Sequence, residues 1–312
     1  MRIGLIDVDG HNFPNLALMR ISAYHKAQGD TVEWWQTDFI YYDRIYMSKI
    51  FSDAYSREDQ TPLNCGEIIR GGTGYAITLG ADGKEHFNKE AHKNLPPEIE
   101  KMFPDYNIYP QFNFSVSMTS RGCPRGCSFC HVAAKEGRCA VKVANVSDFW
   151  NGQSEIRVLD PNITALKEID KRDLFAQYIE TGAVIDFTQG LDIRLLSDSD
   201  IYDLKRMRLK NVHFAWDNPT DDLESRFRNY AEKGKKNPHG SFGMVYVLTG
   251  YNSTMQENLH RIYVLRDLGY DPYVMVYNKP NASKELRALQ RWCNNKPIFK
   301  SVMRFEDYRK EG

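Results

Sequence analysis

The 312-residue chain has no run of about 18 consecutive apolar residues, the length a membrane-spanning helix needs. It has no net charge either. Its 41 Lys and Arg residues balance 41 Asp and Glu residues, so no overall field draws it to nucleic acid or an anionic membrane. A nucleic-acid substrate would have to be met by a local patch. The opening residues, Met1 to Gly10, carry no cationic leader and no long apolar stretch, so they do not read as an export signal. No internal repeat and no low-complexity tract occurs. A cytoplasmic protein without a membrane partner is expected, and there thiols stay reduced. The six cysteines then point to metal binding or catalysis more than to a disulfide framework.

What is present suffices for a core: 42% of residues are hydrophobic and 26% charged. An apolar run over residues 2–7 ends in the turn Asp7-Val8-Asp9-Gly10-His11. Leu16, Leu18, Met19, Ile21 and Tyr24 then recur at helical spacing, with Gly29 as a stop. Residues 31–35, 43–50 and 67–70 read as further strands, the last running into Gly71-Gly72. Four prolines (Pro96, Pro97, Pro104, Pro110) interrupt residues 94–111 and place a domain boundary there. The expected division is a small Rossmann-like α/β domain over residues 1–110 and a second domain over 111–312.

Beyond that boundary short β-branched runs fall at residues 115–119, 156–159, 184–187, 212–216, 244–248 and 273–277. Amphipathic stretches of helical length lie between most of them, at 171–180, 198–207, 222–233 and 255–268. Ser197 reads as the N-cap of one, with Asp198 and Asp200 in its first turn. Six β–α units in series predict parallel strands with right-handed crossovers. Six are too few for a full eight-stranded barrel, so the expectation is an open, partial (β/α)6 barrel. An open doubly wound sheet is the alternative. Both gather ligands at the carboxyl ends of the strands.

Three cysteines sit within eight residues, in Thr119-Ser120-Arg121-Gly122-Cys123-Pro124-Arg125-Gly126-Cys127-Ser128-Phe129-Cys130-His131, just after the first of these strands. Thiolates at such spacings in a glycine-opened loop can wrap one small metal cluster. A cubane held by three cysteines leaves one iron open. Two other readings exist: a structural zinc site completed by His131, or a fully ligated site completed by Cys139. Adjacent Cys130 and His131 are a poor pair for a tetrahedron, and no second Cys-x2-Cys pair is present. Cys65 and Cys293 read as buried small side chains.

The C-x3-C-x2-C run of Cys123, Cys127 and Cys130 resembles the hallmark of the radical S-adenosylmethionine superfamily, and Phe129 matches the aromatic residue that commonly precedes the third cysteine. The resemblance implies an oxygen-sensitive enzyme whose 4Fe-4S cluster binds S-adenosylmethionine at the open iron and cleaves it to a 5′-deoxyadenosyl radical. It further implies an external one-electron reductant such as flavodoxin or ferredoxin. Polar residues stand where that barrel would put its ligand contacts: Asp160 or Asn162 for the methionine amino group, Arg194 for a carboxylate, Asp217 and Asn218 for ribose hydroxyls. The commonest Gly-Gly-Glu run of the superfamily is absent, and these residues are equally good turn formers.

The amino-terminal order is similar to cobalamin-binding domains that precede some such barrels. Asp9-Gly10-His11, Ser48-Lys49-Ile50 and Gly71-Gly72 stand at the corresponding strand ends, although Pro14 replaces the loop glycine. His11 is then either a cobalt ligand or a polar turn residue, and cobalamin-assisted methyl transfer is one variant. With Cys65 alone in this lobe, a methylthio transferase is not expected. Trp34, Trp35, Tyr41 and Tyr42 are candidates for stacking on a base or for the core. The basic end (Lys296, Lys300, Arg304, Arg309, Lys310), diluted by Glu306, Asp307 and Glu311, reads as a solvated face. The substrate, whether small molecule, nucleotide or peptide, is not fixed by the sequence. A non-catalytic iron–sulfur or zinc-binding module is the competing class.

Overall fold

The computed structural model describes residues 1–81 and 84–310. Glu311 and the side chains of Arg309 and Lys310 lie outside the described residues. The protein is mixed α/β with parallel main sheets, and among the described residues no sheet closes into a barrel. The chain divides into two compact units. The first takes residues 1–118, 122–139 and 144–154; the second takes 119–121, 140–143 and 155–312.

In the first unit β1 (Arg2–Asp7), α1 (Leu16–Ala27), β2 (Thr31–Trp34), β3 (Tyr42–Ser48) and β4 (Cys65–Gly71) build a parallel sheet of order β2-β1-β3-β4. Ile3, Leu5 and Tyr46 on one face pack with Leu18 and Ile21 of α1. Tyr42, Ile45 and Met47 form the other apolar layer with Ile6, Trp35 and Ile68. Each such aliphatic side chain contributes roughly 1.5–3 kcal/mol by burial. Helix α1 starts at Asn15, whose side chain accepts from the Leu18 N–H, and stops before Gly29 in a left-handed conformation. A short hairpin follows, β5 (Ile77–Leu79) against β6 (Glu85–Phe87), then α2 (Pro97–Glu100), β7 (Phe114–Ser117) and α3 (Val132–Glu136).

The proline-rich stretch is packed onto this first sheet. The Tyr109 hydroxyl donates to Asp7 at 2.6 Å, Trp34 Nε1 donates to the Ile108 carbonyl at 3.1 Å, and Asp105 accepts from Ser22 and Lys26 at 2.6 Å each. Of the four aromatic residues singled out above, Tyr42 is fully buried, Trp34 and Trp35 are half-buried, and only Tyr41 is largely exposed.

The second unit opens with a two-stranded antiparallel ribbon, β8 (Ser120–Arg121) with β9 (Val141–Lys142). Its main elements are β10 (Glu155–Val158), α4 (Glu168–Thr181), β11 (Val184–Phe187), α5 (Asp198–Arg206), β12 (Arg208–Asn211), β13 (His213–Ala215), α6 (Glu224–Lys233), β14 (Met244–Thr249), α7 (Met255–Asp267) and β15 (Asp271–Val276). Ser197 caps α5 in a capping box with Asp200. The run expected at 212–216 is β13, and β12, which was not expected, directly precedes it across Val212. β12 pairs with β11, and β13 pairs with β14, so one chain segment passes from the β10-β11-β12 ladder to the β13-β14-β15 ladder.

Ile156, Val158, Ile185, Phe187, Phe214, Val245, Val247 and Val274 are at most 2% exposed on the helix-covered face. The chain ends in α8 (Lys284–Asn294), α9 (Lys296–Ser301) and α10 (Phe305–Lys310), wrapped around the buried Trp292. Cys293 is buried beside it, and burial pushes its thiol up to about 12, as suits a packing residue.

Gly72 directly follows β4 at a close backbone approach. Its φ is +101°, and a Cβ there would lie 2.2 Å from the Lys49 carbonyl oxygen. Gly72→Ala is expected to destabilise the protein by roughly 1–3 kcal/mol through left-handed strain and a backbone clash. Denaturant unfolding checks this, and an unchanged midpoint contradicts it.

Candidate functional site

The cysteine segment closes on its own stem. The Cys123 N–H donates to the Gly137 carbonyl at 3.1 Å. Gly122, with φ +86°, brings its Cα so close to the Cys139 carbonyl that a Cβ would stand 2.0 Å from that oxygen. The Cys130 N–H donates to the Cys127 carbonyl at 3.0 Å, turning the chain between the second and third cysteines. Cys123, Cys127 and Phe129 are half-buried, Cys130 and Cys139 exposed, and none of the six cysteines is in a disulfide.

His131 is turned to another partner. Its Nε2 lies 3.6 Å from Glu85, and its ring stands 6.0 Å from Phe87, both on β6. Among the described residues no three His, Cys, Asp or Glu side chains are gathered to hold a metal ion. A single zinc needs four ligands at about 2–2.3 Å. A cubane carries its thiolates on separate iron corners and asks less convergence of them. The donor chemistry and the closed backbone of the loop fit such a cluster; the side chains are not drawn together on one point.

The stem of that loop is fixed within the second unit. Asp160, 3% exposed, accepts three hydrogen bonds: from the Thr119 N–H at 2.6 Å, the Thr119 hydroxyl at 2.7 Å and the Ser120 hydroxyl at 2.6 Å. The buried Tyr178 hydroxyl lies 3.0 Å from the Thr119 hydroxyl. The Val143 N–H donates to the Thr119 carbonyl at 2.8 Å, so the residues on either side of the cysteine segment form one ribbon. Asp160, singled out above for a cofactor amino group, thus has both carboxylate oxygens engaged in anchoring Thr119 and Ser120.

Asn162, Arg194 and Asn218 join in one chain of hydrogen bonds across strand ends. Asn162 Oδ1 accepts from the Thr164 hydroxyl at 2.7 Å, and that hydroxyl accepts from the Asp192 N–H at 3.1 Å. Arg194 donates through Nε to Asp192 at 2.6 Å and through Nη1 to Asp221 at 2.7 Å. Both carboxylates hold its pKa above the ordinary arginine value against burial. Asn218 donates to Asp221 at 3.2 Å and accepts from Thr220, which shapes the turn it was expected to shape. A guanidinium between two carboxylates leaves one net negative charge at this edge.

Arg261 was not singled out in the sequence; it lies in the amphipathic stretch at 255–268. It is 1% exposed and donates to the carbonyls of Trp216 at 2.5 Å, Asp217 at 3.1 Å and Leu248 at 3.0 Å, and to Asn258 Oδ1 at 2.6 Å. It thereby ties the carboxyl ends of β13 and β14, and burial lowers its pKa to about 10.

The positions expected for a corrinoid in the first unit are engaged in local contacts. The His11 ring packs 4.2 Å from Trp34 and 5.6 Å from Tyr109, and burial lowers its pKa. Asp9 accepts from the N–H groups of Ile50 and Phe51, and the Ser48 hydroxyl accepts from Asn15. Gly72 makes room for the Lys49 carbonyl.

No family model matches the chain, and no curated protein matches it. Among the described residues no helix is long and apolar enough to cross a membrane.

Burial raises the Asp160 carboxyl from 3.8 to about 6, against the pull of its three donors. A folded-state pKa above the unfolded one contributes stability that is full below about pH 4 and is lost as pH rises through 6. Relative to Asp160→Asn, the wild type should therefore lose about 3 kcal/mol between pH 3 and pH 7. Urea unfolding of both proteins at each pH measures the difference. A gap that does not vary with pH contradicts the assignment.

Proposed function

We propose that the protein is a radical S-adenosylmethionine enzyme in which Cys123, Cys127 and Cys130 hold a 4Fe-4S cluster. The observation that carries the reading is the C-x3-C-x2-C loop, pinned shut where Gly122 meets the Cys139 carbonyl and Cys123 donates to Gly137. When bound, the cluster would bind S-adenosylmethionine and supply the electron that breaks its S–C5′ bond, giving a radical able to take hydrogen from an unactivated C–H position. The chain's own part is to present three deprotonated thiolates, to fix their loop through the Asp160-anchored ribbon, and to bind the sulfonium substrate.

Asp217 is the candidate for ribose hydroxyls, while Asn218 holds the turn beside it. The strands from β10 to β15, with no helix between β12 and β13, supply five β–α units toward a partial (β/α)6 barrel, whose first expected strand is β7; the parallel β1–β4 sheet supports a Rossmann-like first domain. A cytoplasmic location and a flavodoxin- or ferredoxin-type electron donor belong to the same proposal. Cobalamin-assisted methyl transfer is a variant that the contacts of His11 and Ser48 do not favour.

One observation favours a second reading. The backbone of Cys139 lies against the start of the loop, so a fourth thiolate is within the same segment. A four-thiolate iron–sulfur module would bind no S-adenosylmethionine at iron.

The two readings part in one assay. After anaerobic reconstitution with iron and sulfide, dithionite and S-adenosylmethionine should yield 5′-deoxyadenosine from the wild type and from Cys139→Ala. Cys127→Ala should lower the yield at least a hundredfold. A wild type that holds a cluster but makes no 5′-deoxyadenosine, and a Cys139→Ala protein that loses its iron, would establish the non-catalytic module instead.

A further inference from the structure

Strand alternation gives the second unit's sheet two unlike faces. The helix-covered face is aliphatic and aromatic. The other carries Glu155 and Arg157 of β10, Asp186 of β11, His213 of β13, Tyr246 of β14 and Tyr273 of β15. Arg157 stands opposite Asp186 across one ladder, and Tyr246 opposite Tyr273 across the other. This row plays no part in anchoring the cysteine loop or in the strand-end hydrogen-bond chain.

Asp186 is the anomaly within it. The residue is 8% exposed, yet its buried Oδ1 accepts no hydrogen bond. The nearest cations stand off: Lys210 Nζ is 3.8 Å from Oδ2, and His213 Nδ1 is 3.8 Å from Oδ1. Lys210 is drawn instead to Glu155 at 2.8 Å, as is Arg157 at 2.7 Å. His213 is taken up by the backbone and by Asn211. The Phe187 carbonyl lies 3.3 Å from Nδ1, and Asn211 Nδ2 lies 3.4 Å from Nε2. Burial pushes the Asp186 carboxyl up, while His213, Lys210 and Arg157 pull it down.

A buried carboxylate without hydrogen bonds is unusual in a folded protein, and the missing donors can come from a ligand. Beside it the His213 and Tyr246 rings lie parallel to within 9° at 5.8 Å, and Tyr273 stands edge-on to Tyr246 at 5.9 Å. The ligand is thus flat and apolar on its faces. Glu155 and Asp186 already face Lys210 and Arg157, and a neutral ligand leaves those pairings intact. Its edge bears adjacent N–H donors, because two carboxylate oxygens accept two parallel bonds.

We propose that this row binds the 2-amino-4-oxopyrimidine edge of a fused aromatic ring, its ring N–H and amino group closing on Asp186 while its face lies on Tyr246. Guanine nucleosides and pterins share that edge. Recognition of a base by edge hydrogen bonds and an aromatic wall is the general way a protein reads a base outside a helix. The binding site stands on the sheet face alone; that its ligand is the substrate of the proposed radical reaction rests on that reading.

The test is titration calorimetry on the full chain, with guanosine, neopterin, inosine and adenosine as separate probes. Saturable binding of guanosine or of neopterin, whichever is tighter naming the source, is expected. Inosine, without the amino group, should bind at least tenfold more weakly than guanosine, and adenosine should not bind. Asp186→Asn, which replaces an acceptor by a donor at nearly equal volume, should weaken binding tenfold or more. Tyr246→Phe should retain it and Tyr246→Leu should lose several-fold. Thermal unfolding of each variant confirms that it is folded. Absent binding of both guanosine and neopterin, equal binding of adenosine, or an unaffected Asp186→Asn protein overturns the proposal. These readouts need no S-adenosylmethionine cleavage. Intact binding without cleavage therefore counts against the radical reading alone, and cleavage without binding counts against this site alone.

Discussion

The buried carboxylate of Asp160 is the contact on which the cysteine loop's geometry depends. A charge buried in this way is costly unless donors surround it, and Thr119 and Ser120 supply three. Those donors fix the backbone where the chain enters the β8–β9 ribbon, and Val143 closes the ribbon on the other side. The ribbon sets where the segment carrying Cys123, Cys127, Cys130 and Cys139 begins and ends. Gly122 then brings its two ends into backbone contact that no larger residue permits. A cluster-binding loop needs its stem rigid while its thiols adjust, and this combination provides that.

The second unit repeats the principle at its strand ends. Arg261 reaches back from α7 and holds three carbonyls of the β13 and β14 termini, as a buried guanidinium with several fixed acceptors can. The Thr164–Asp192–Arg194–Asp221 chain does the same between the loops after β10, β11 and β13. Arg261 and Arg194 are each held by several acceptors at these ends. On the sheet face, by contrast, the buried Asp186 Oδ1 accepts no hydrogen bond.

Much of this architecture was legible in the sequence because short apolar and β-branched runs mark the strands and helical spacing marks the helices. Residues 2–7 and 184–187 read as strands to the residue, and Ser197 as a cap. The segment Arg208-Leu209-Lys210-Asn211 was not legible, since its strand character comes from pairing with β11 and its side chains are mostly polar. The C-terminal helices escaped notice for a related reason: their order comes from Trp292 packing on Phe299 and Phe305, which is tertiary. At the candidate site the cysteine spacing was plain, but roles that depend on distant partners were hidden. Asp160 is 41 residues from Thr119, and nothing local distinguishes an anchor from a cofactor ligand. His11 likewise reads as a turn residue, and nothing local shows that its ring packs at a tilt against Trp34.

The central claim is that three thiolates, with Cys139 outside the set, hold a cluster with one iron open to S-adenosylmethionine. Electron paramagnetic resonance of the reduced, reconstituted protein tests it most directly, recorded with and without S-adenosylmethionine. The account predicts a 4Fe-4S signal whose g-values shift on adding S-adenosylmethionine, in the wild type and equally in Cys139→Ala. A spectrum unmoved by S-adenosylmethionine, from a cluster that disappears when Cys139 is replaced, would contradict it.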